Sequence, residues 1–286
     1  MNPDFIQFAS ERGLIIDRVV HGRWERTKTV DHAHKKNGAY FLGDGYALIQ
    51  NWATMQSCDV WKDGKPRTPY EQEQLTKRIE DSRKAHAAER ENNQRKAAQK
   101  ANFILSQCEL STHAYLHAKG WKDMLGNVWR KDEDSDPVLV VPMYFSGKIC
   151  GAQCIGIDSQ KKFVYGQRTN FAYHRIGQVG QVYLVEGYAT ALSLFEVTQK
   201  MRHPCTIYAT FSAGNLVKVA SNFSSAIIIA DHDESGVGQK AAESTGLKWW
   251  MPEKTGQDFN DYHQEVGTLT AQLNMMKVLR KLKNAV

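Results

Sequence analysis

Acidic side chains follow two short apolar segments in the C-terminal half of this 286-residue chain. Glu186 comes directly after VYLV (182–185), and Asp231 and Asp233 come directly after AIIIA (226–230). If both segments are strands of an open α/β sheet, these acids lie at its carboxyl edge, where such sheets bind ligands. Three carboxylates at one edge repel each other unless a cation neutralises them, and hard oxygen ligands favour Mg²⁺ or Mn²⁺. The pattern therefore predicts a divalent-metal site.

Each acid also has a simpler interpretation when it is taken alone. Asp233 precedes Glu-Ser-Gly, and aspartate favours the N-cap position of a helix. Asp258, in the sequence DFND (258–261), is either a fourth metal ligand or the start of a helix. The joint pattern at two strand ends favours the metal site. We therefore predict Glu186, Asp231 and Asp233 as catalytic residues, and the same three with Asp258 as metal ligands.

A zinc site is not expected from the cysteines and histidines. The five cysteines include no CxxC pair, and the histidines lack the spacing of a zinc finger. Cys150 and Cys154, in CGAQC, are expected to pack in the interior, with metal or redox use as the alternative. His32 and His34 form a local HAH, which without partner cysteines indicates a polar loop.

Strands and helices alternate regularly from residue 181 onward. Continuous apolar runs separated by amphipathic helices are typical of a parallel sheet that is covered on both faces. The predicted fold class is α/β, with a Rossmann-like, mostly parallel sheet flanked by helices. The predicted strands are 182–185, 206–211, 226–230 and 247–251, and the helices between them are 189–200, 213–223 and 236–246.

Composition predicts four further parts around this α/β domain, which we place at 180–265. Residues 1–68 are rich in glycine and aromatic residues and indicate a small β-rich module. Residues 69–101 lack glycine and indicate a charged helical linker. Residues 102–179 form a mixed, basic α+β subdomain, with a short helix over 103–120 before its strands. Residues 266–286 form a basic helix.

The charge distribution indicates a polyanionic partner. The chain has 37 Lys+Arg against 31 Asp+Glu and a net charge of +6, but residues 180–265 hold ten acidic and six basic side chains. An acidic pocket in a basic chain suits a metal-dependent enzyme that acts on nucleic acid, because the basic surface attracts phosphates.

Several basic side chains are candidates for phosphate contacts, with a solvated surface as the alternative for each. The predicted nucleotide- or nucleic-acid-binding residues are Lys161, Lys162, Arg168, His174, Arg175, Lys240, Arg23 and Lys36. In the N-terminal module, Lys35, Trp24 and Trp52 add a further cation and aromatic rings. Mixed cations and aromatics suit a single-stranded template, although core packing is favoured for the two tryptophans.

These motifs resemble the Toprim domain. The similar segments are EGYATAL (186–192), IIIADHDESGVGQKAAE (227–243) and QDFNDY (257–262). Upstream segments, including HAYLHAKGW (113–121) and KKFVYGQRTNFAYHRIG (161–177), are similar to the Toprim primases of plasmids and phages, among them the conjugative plasmid primases. The resemblance covers roughly residues 110–262 in consistent order. The N-terminal stretch is similar to the module that precedes such primase cores, but it lacks the cysteines of the zinc-binding version.

The resemblance implies a DNA primase that makes short RNA primers for a plasmid, phage or other mobile element. Asp231 and Asp233 would hold Mg²⁺ (or Mn²⁺) bridging the incoming triphosphate. Glu186 would bind a second metal or act as a general base, and these two roles stay open. Thr190 departs from the family pattern, in which many members have aspartate four residues after the glutamate, so one water-mediated metal contact is in doubt.

The implied partners are a single-stranded DNA template and nucleoside triphosphates. A replicative helicase is a candidate partner, because the sequence has no P-loop of its own. Two alternatives remain, a Toprim nuclease and a non-catalytic nucleic-acid-binding protein. No apolar run approaches the ~20 residues of a membrane span, and the N-terminus lacks a secretory signal. No membrane association and a cytoplasmic location are therefore expected.

Overall fold

A computed structural model describes residues 3–31, 33–34, 36–52, 54–55 and 57–284. The chain forms two compact units, Met1–Glu89 and Arg90–Val286. Each unit has its own buried clusters, so the two are described separately. In the described part of the chain, no helix is both long enough and apolar enough to cross a bilayer.

The first unit contains a helix and an antiparallel meander. Its five-stranded sheet has the order β1-β2-β3-β4-β5, so each strand pairs with its neighbour in sequence. Phe5 and Ala9 of the helix are buried against Tyr40, Ile49 and Trp61 of the sheet. The elements are α1 (Pro3–Glu11), β1 (Leu14–Ile15), β2 (Trp24–Thr29), β3 (Gly38–Gly43), β4 (Tyr46–Asn51) and β5 (Asp59–Lys62). All five strands lie within the β-rich module predicted at 1–68, and that prediction did not include α1.

A 38-residue helix, α2 (Pro69–Ser106), follows this sheet and contributes to both units. Its first half contacts the β-meander through Leu75 and Ile79. Its last turns bury Ala101 and Ile104 in the second unit. These buried positions explain why the helix continues beyond the linker predicted at 69–101.

The predicted helix over 103–120 is wrong. The residues after α2 form a short strand, β6 (Glu109–Ser111), and a short helix, α3 (Ala114–Ala118). His113 ends the extended segment, because its Nδ1 accepts a hydrogen bond from the Tyr115 amide at 3.1 Å and so caps α3. Helical composition alone did not reveal this interruption.

A second five-stranded sheet lies in the second unit and is antiparallel throughout. Its strand order is β10-β9-β8-β7-β6. Val140 and Ala152 of its central strands are buried with Ala97, Ala101 and Ile104 of α2. The remaining strands are β7 (Gly126–Trp129), β8 (Val138–Phe145), β9 (Lys148–Ile155) and β10 (Lys161–Phe163).

The third sheet has the order β11-β13-β12-β14-β15. Its strands are β11 (His174–Gly177), β12 (Gln181–Val185), β13 (Cys205–Ala209), β14 (Ile227–Ile229) and β15 (Lys248–Trp250). The last four are parallel, as predicted, whereas β11 pairs antiparallel with β13. This edge strand lies within the residues predicted for the preceding basic subdomain, because its pairing partner is distant in sequence.

Helices cover both faces of the third sheet. On one face, Ala191 and Leu194 pack with Phe259 and Met275 against the strands. On the other face, Leu216 and Ala242 pack against Leu184 and Ile228. The helices are α4 (Tyr188–Lys200), α5 (Ala213–Ala220), α6 (Val237–Ser244), α7 (Phe259–Val266) and α8 (Thr268–Asn284). The sheet is therefore buried on both faces, and the acidic residues described below follow its strands at the carboxyl edge.

Candidate metal and nucleotide site

Glu186 and Asp231 lie at neighbouring strand ends. β12 and β14 are adjacent and parallel, with Val185 paired to Ile229. Glu186 directly follows β12, and Asp231 is the second residue after β14. The expectation that these two acids share one edge of the sheet is therefore correct, and it depends on β12 and β14 being direct neighbours.

The backbone after β13 encloses Glu186. The Phe211 amide donates to the Glu186 carbonyl oxygen at 2.8 Å, and the Ala213 amide donates to the Glu186 carboxylate. Burial raises the pKa of Glu186, and the nearby charge of Asp233 adds to this, whereas the Lys161 ammonium and the Ala213 amide lower it. Glu186 therefore stays protonated to a higher pH than an ordinary glutamate.

Asp231 has the most strongly shifted pKa among the acids of this edge. Its Oδ1 is buried and has no hydrogen-bond partner among the described residues. Burial raises the pKa of Asp231 to about 8, and the charges of Glu186, Asp258 and Asp233 act in the same direction, offset in part by Lys161. An unpaired carboxyl oxygen next to other acids is the environment that a divalent cation would relieve.

Asp233 faces the start of α6. Its carboxylate accepts hydrogen bonds from the amides of Gly238 at 2.9 Å and Val237 at 3.2 Å, and from the Ser235 hydroxyl. Burial acts to raise the pKa of Asp233, but these hydrogen bonds outweigh it and lower the pKa. The N-cap of α6 is Gly236, so Asp233 does not occupy the N-cap position of the alternative interpretation, but its side chain does accept from the first amides of the helix. Its metal role stays a prediction.

Asp258 is the N-cap of α7. Its carboxylate accepts a hydrogen bond from the Asp261 amide at 2.8 Å. In return, the Asp258 amide donates to the Asp261 carboxylate at 3.4 Å. This capping box fixes the carboxylate at the helix start. Its charge still contributes to raising the pKa of Asp231, so Asp258 lies close enough to affect the site.

A complete metal cage is not formed by these side chains. Within the described residues, no group of three or more His, Cys, Asp or Glu side chains is arranged to hold a metal ion. Mg²⁺, however, usually keeps several waters and needs only one or two carboxylates together with substrate phosphates. Glu186 and Asp231, with the unpaired Oδ1 of Asp231, fit that requirement. The donor set therefore suits a hydrated Mg²⁺ or Mn²⁺ ion.

Lys161 is the predicted basic residue that the structure brings to the acids. Its ammonium lowers the pKa of both Glu186 and Asp231 and lies 5.6 Å from the centre of the Tyr115 ring. Lys161 and Lys162 are adjacent residues of β10 and both are exposed. Successive strand residues point to opposite faces, so Lys162 does not share the environment of Lys161.

Tyr115 was missed by the sequence analysis. It is 1% exposed, and its hydroxyl has no partner among the described residues. Burial raises the pKa of Tyr115, as do the charges of Asp258 and Asp261, so the phenol keeps its proton. α3 is held in place because Lys119 pairs with Asp261 at 3.2 Å. Only the YLHAKG segment of the resemblance could have pointed to this residue.

The other basic residues of the second unit lie apart from the acids or have other contacts. Arg168 lies over the Phe145 ring, 3.9 Å from its centre. His174 Nδ1 is 2.9 Å from the Pro142 carbonyl oxygen, and burial lowers the pKa of His174. Arg175 of β11 and Lys240 of α6 are exposed. In the described part of the chain, no hydrogen bond or ion pair joins these four side chains to Glu186, Asp231, Asp233 or Asp258.

The predicted basic and aromatic residues of the first unit lie in its strands or in the segments next to them. Arg23 pairs with Glu25 at 3.4 Å, and Lys36 is exposed. Trp24 stacks on His86 with ring centres 3.9 Å apart and packs against the sheet cluster, as expected for a core contribution. Trp52 is half-buried beneath the Arg26 guanidinium. Lys35 and His32 lie outside the described residues.

Cys150 and Cys154 are both thiols rather than members of a disulfide. Cys154 is half-buried in the cluster formed with α2, and Cys150 Sγ lies 3.8 Å from the Arg168 carbonyl oxygen. Burial raises the pKa of both thiols. The packing role expected for the two residues agrees with these contacts.

A family model matches the part of the chain that forms most of the third sheet. Residues 181–268 match the model of the Toprim domain. This range begins with β12 and ends at the start of α8. The chain is thus a mixed α/β protein that contains a Toprim domain.

Two solved structures are similar to the chain at low identity. One is a chain from bacteriophage T7 lagging-strand DNA polymerase interacting with the primase domains of two gp4 subunits, which are bound to an RNA/DNA hybrid and dTTP. It has 19% identity and a TM-score of 0.40 over 61% of this chain and 89% of that chain. The other, a DNA primase domain from Pseudomonas aeruginosa, has 14% identity and a TM-score of 0.33 over 51% and 55%. No curated protein matches the chain.

Proposed function

We propose that this chain is a DNA primase that uses Mg²⁺ or Mn²⁺ to synthesise short RNA primers on a single-stranded DNA template. One observation carries the proposal. Within a Toprim domain, Glu186 and Asp231 follow adjacent parallel strands, and the buried Oδ1 of Asp231 has no partner among the described residues. A metal-dependent nucleotidyl transfer requires such a cluster of oxygen donors at an accessible edge.

Glu186 and Asp231 would hold the cation, and Asp233 would join them if its carboxylate exchanged an amide of α6 for the ion. The bound cation would neutralise charge on the triphosphate and on the leaving pyrophosphate. Lys161 is suited to bind a phosphate beside the acids, because its ammonium is close enough to lower the pKa of both Glu186 and Asp231. Glu186, with its raised pKa, is suited to accept the proton of the primer 3′-hydroxyl if it does not bind metal.

The wider assignment follows the resemblance to primases of plasmids and phages. We propose that the first unit contacts the template, that nucleoside triphosphates are the substrates, and that a replicative helicase is a partner. Arg23 directly precedes β2, Lys36 lies in the loop before β3, and both have exposed side chains, which suits contact with a phosphate backbone. A cytoplasmic location is part of the same proposal.

Primer synthesis tests this function directly. The full chain is incubated with labelled ribonucleotides, Mg²⁺ or Mn²⁺, and homopolymer or mixed single-stranded DNA. We expect short labelled RNA, reduced about 100-fold or more by Asp231→Ala or Glu186→Gln, the scale of losing one electrostatic stabiliser. Glu234→Gln is the matched control, because this neighbouring acid is exposed to solvent.

Other outcomes would favour the alternatives. Shortened template DNA that disappears in Asp231→Ala would identify a nuclease that uses the same metal site. Template binding that is unchanged in Asp231→Ala, with neither synthesis nor cleavage in the unmodified chain, would identify a non-catalytic nucleic-acid-binding protein. Either result would reject the primase assignment.

A further inference from the structure

Two phenylalanine rings lie next to the acidic edge and are not used by the proposed chemistry. Phe163 ends β10, and its ring meets the Phe211 ring edge-to-face, with centres 6.2 Å apart and planes at 87°. Phe163 is 42% exposed, and Phe211 is half-buried. An exposed apolar residue alone has no special meaning, so the argument depends on what this pair adjoins.

The position of Phe163 on β10 directs it toward the acids. Lys161 and Phe163 are two residues apart on one strand, so their side chains lie on the same face. Lys161 is the residue whose ammonium acts on Glu186 and Asp231. One strand face therefore presents a cation beside the acids and an exposed aromatic ring next to that cation.

Phe211 is tied to Glu186 through the backbone. Its amide donates to the Glu186 carbonyl oxygen at 2.8 Å, and the preceding Thr210 amide donates to the Val185 carbonyl oxygen at 2.9 Å. Asn215 Nδ2 donates to the Thr210 carbonyl oxygen at 2.7 Å and holds the same turn. The Phe211 ring is thus fixed relative to the acidic edge.

The backbone of Phe211 is in a conformation that a bulky residue rarely adopts. Its φ is +68°, in the left-handed region, where non-glycine residues are uncommon. Residues held in this way cluster at ligand sites, because the surrounding structure must maintain them at a cost in free energy. Here the strained residue directs an aromatic ring toward Phe163.

We propose that Phe163 and Phe211 form a stacking subsite for a nucleobase whose phosphate lies at Lys161 and the acidic edge. This inference rests on the proposed function and specifies how its nucleotide is held. The exposed ring of Phe163 stacks on the base, Phe211 supports that ring from its edge, and Lys161 contacts the phosphate. Every base has a π-face, so the subsite does not discriminate sequence. The base belongs either to a nucleoside triphosphate or to a nucleic-acid strand.

Equilibrium binding to the full chain tests the subsite without any turnover. The first arm compares ATP with ribose 5-triphosphate, which has the same phosphates but no base, in Mg²⁺ and without template. Phe163→Ala is expected to weaken ATP binding about 5- to 150-fold, the range for one lost base–aromatic stack, and to leave ribose triphosphate binding unchanged. Phe163→Trp keeps a ring and is expected to retain ATP affinity.

The second arm identifies the source of the base. It compares a short oligothymidylate with an abasic oligomer of equal length. A loss confined to ATP assigns the subsite to the incoming nucleotide, and a loss confined to the oligothymidylate assigns it to the strand. Phe103→Ala is the matched control, since Phe103 is a 63% exposed phenylalanine on α2, and it is expected to change neither affinity.

Two results would overturn the proposal. Equal weakening of ATP and ribose triphosphate by Phe163→Ala would show a general disturbance rather than stacking, and unchanged binding in both arms would show that the ring has no ligand. The test is separate from that of the proposed function. Base-dependent binding through Phe163 in a chain that makes no primer would support the subsite and reject the primase function. Primer synthesis together with base-independent binding would support the primase function and reject the subsite.

Discussion

Replacing Asp231 with asparagine is expected to stabilise the metal-free protein. The Asp231 carboxyl is buried next to other acids and leaves Oδ1 without a partner among the described residues. Burial and the neighbouring charges raise its pKa from 3.8 to about 8. An asparagine amide at this position would have nearly the same shape but could not ionise, so the variant removes the titratable group.

The magnitude follows from proton linkage. In the unfolded chain the carboxyl loses its proton near pH 4, whereas in the folded chain it keeps the proton until about pH 8. The folded state therefore binds more protons in this window, and its stability falls as the pH rises. Each unit of pKa difference corresponds to about 1.4 kcal/mol, which gives an upper limit of about 4 kcal/mol at pH 7. Because this edge of the sheet is partly open to water, we expect about 2 kcal/mol.

Thermal unfolding with a chelator present measures this effect. For a unit of this size, a gain of about 2 kcal/mol corresponds to a Tm increase of about 4–8 °C. The increase should be largest at pH 8 and should vanish near pH 4. Asp233→Asn is the matched control, since the hydrogen bonds from α6 lower the pKa of Asp233, and it should decrease Tm. A Tm that falls in Asp231→Asn, or a gain that is equal at pH 5 and pH 8, would refute the account.

Three further predictions concern the same edge. Gly238→Ala should decrease stability by about 1–3 kcal/mol in urea unfolding, because an added Cβ would overlap the Asp231 carbonyl oxygen. Gly214→Ala, in a helix position with open space, should be neutral or slightly stabilising. Mg²⁺ affinity, measured by calorimetry, should fall by up to tenfold for each pH unit below 8, because protons compete with the metal for Asp231. An affinity that does not change with pH would contradict this. Tyr115→Phe should leave Tm unchanged or raise it in the metal-free protein, since the buried hydroxyl has no described partner, and a decrease of several degrees would show that it has one.

The sequence predicted which strand ends carry the acidic residues. Residues 182–185 and 226–230 are apolar runs followed by acids, and the structure confirms them as adjacent parallel strands. Local pattern sufficed here because a buried parallel strand is continuously apolar and its end is marked by the first polar residue. The Toprim match covers this same region.

The orientation of individual side chains could not be predicted in the same way. Whether Asp233 faces a metal or the amides of α6 depends on how closely α6 approaches, which Gly238 permits. The proximity of Tyr115 and Lys161 to the acids depends on contacts between segments 25 or more residues apart. A local sequence pattern carries no information about such distances, so the side-chain orientations and contacts at the site become known only from the tertiary packing.

Unsatisfied polar atoms support a ligand at this edge by an independent physical argument. Four buried side-chain atoms have no partner within the described residues, and three of them belong to Tyr115, Thr190 and Asp231. Each such atom destabilises the fold by about 1–3 kcal/mol, and since native structures hold only a few per 100 residues, each one calls for a physical explanation. Thr190 is on the first turn of α4 after Glu186, and Tyr115 and Asp231 are both subject to the charge of Asp258. Water or a hydrated cation at the sheet edge would supply the missing bonds, and the free energy so recovered would favour binding over an empty site.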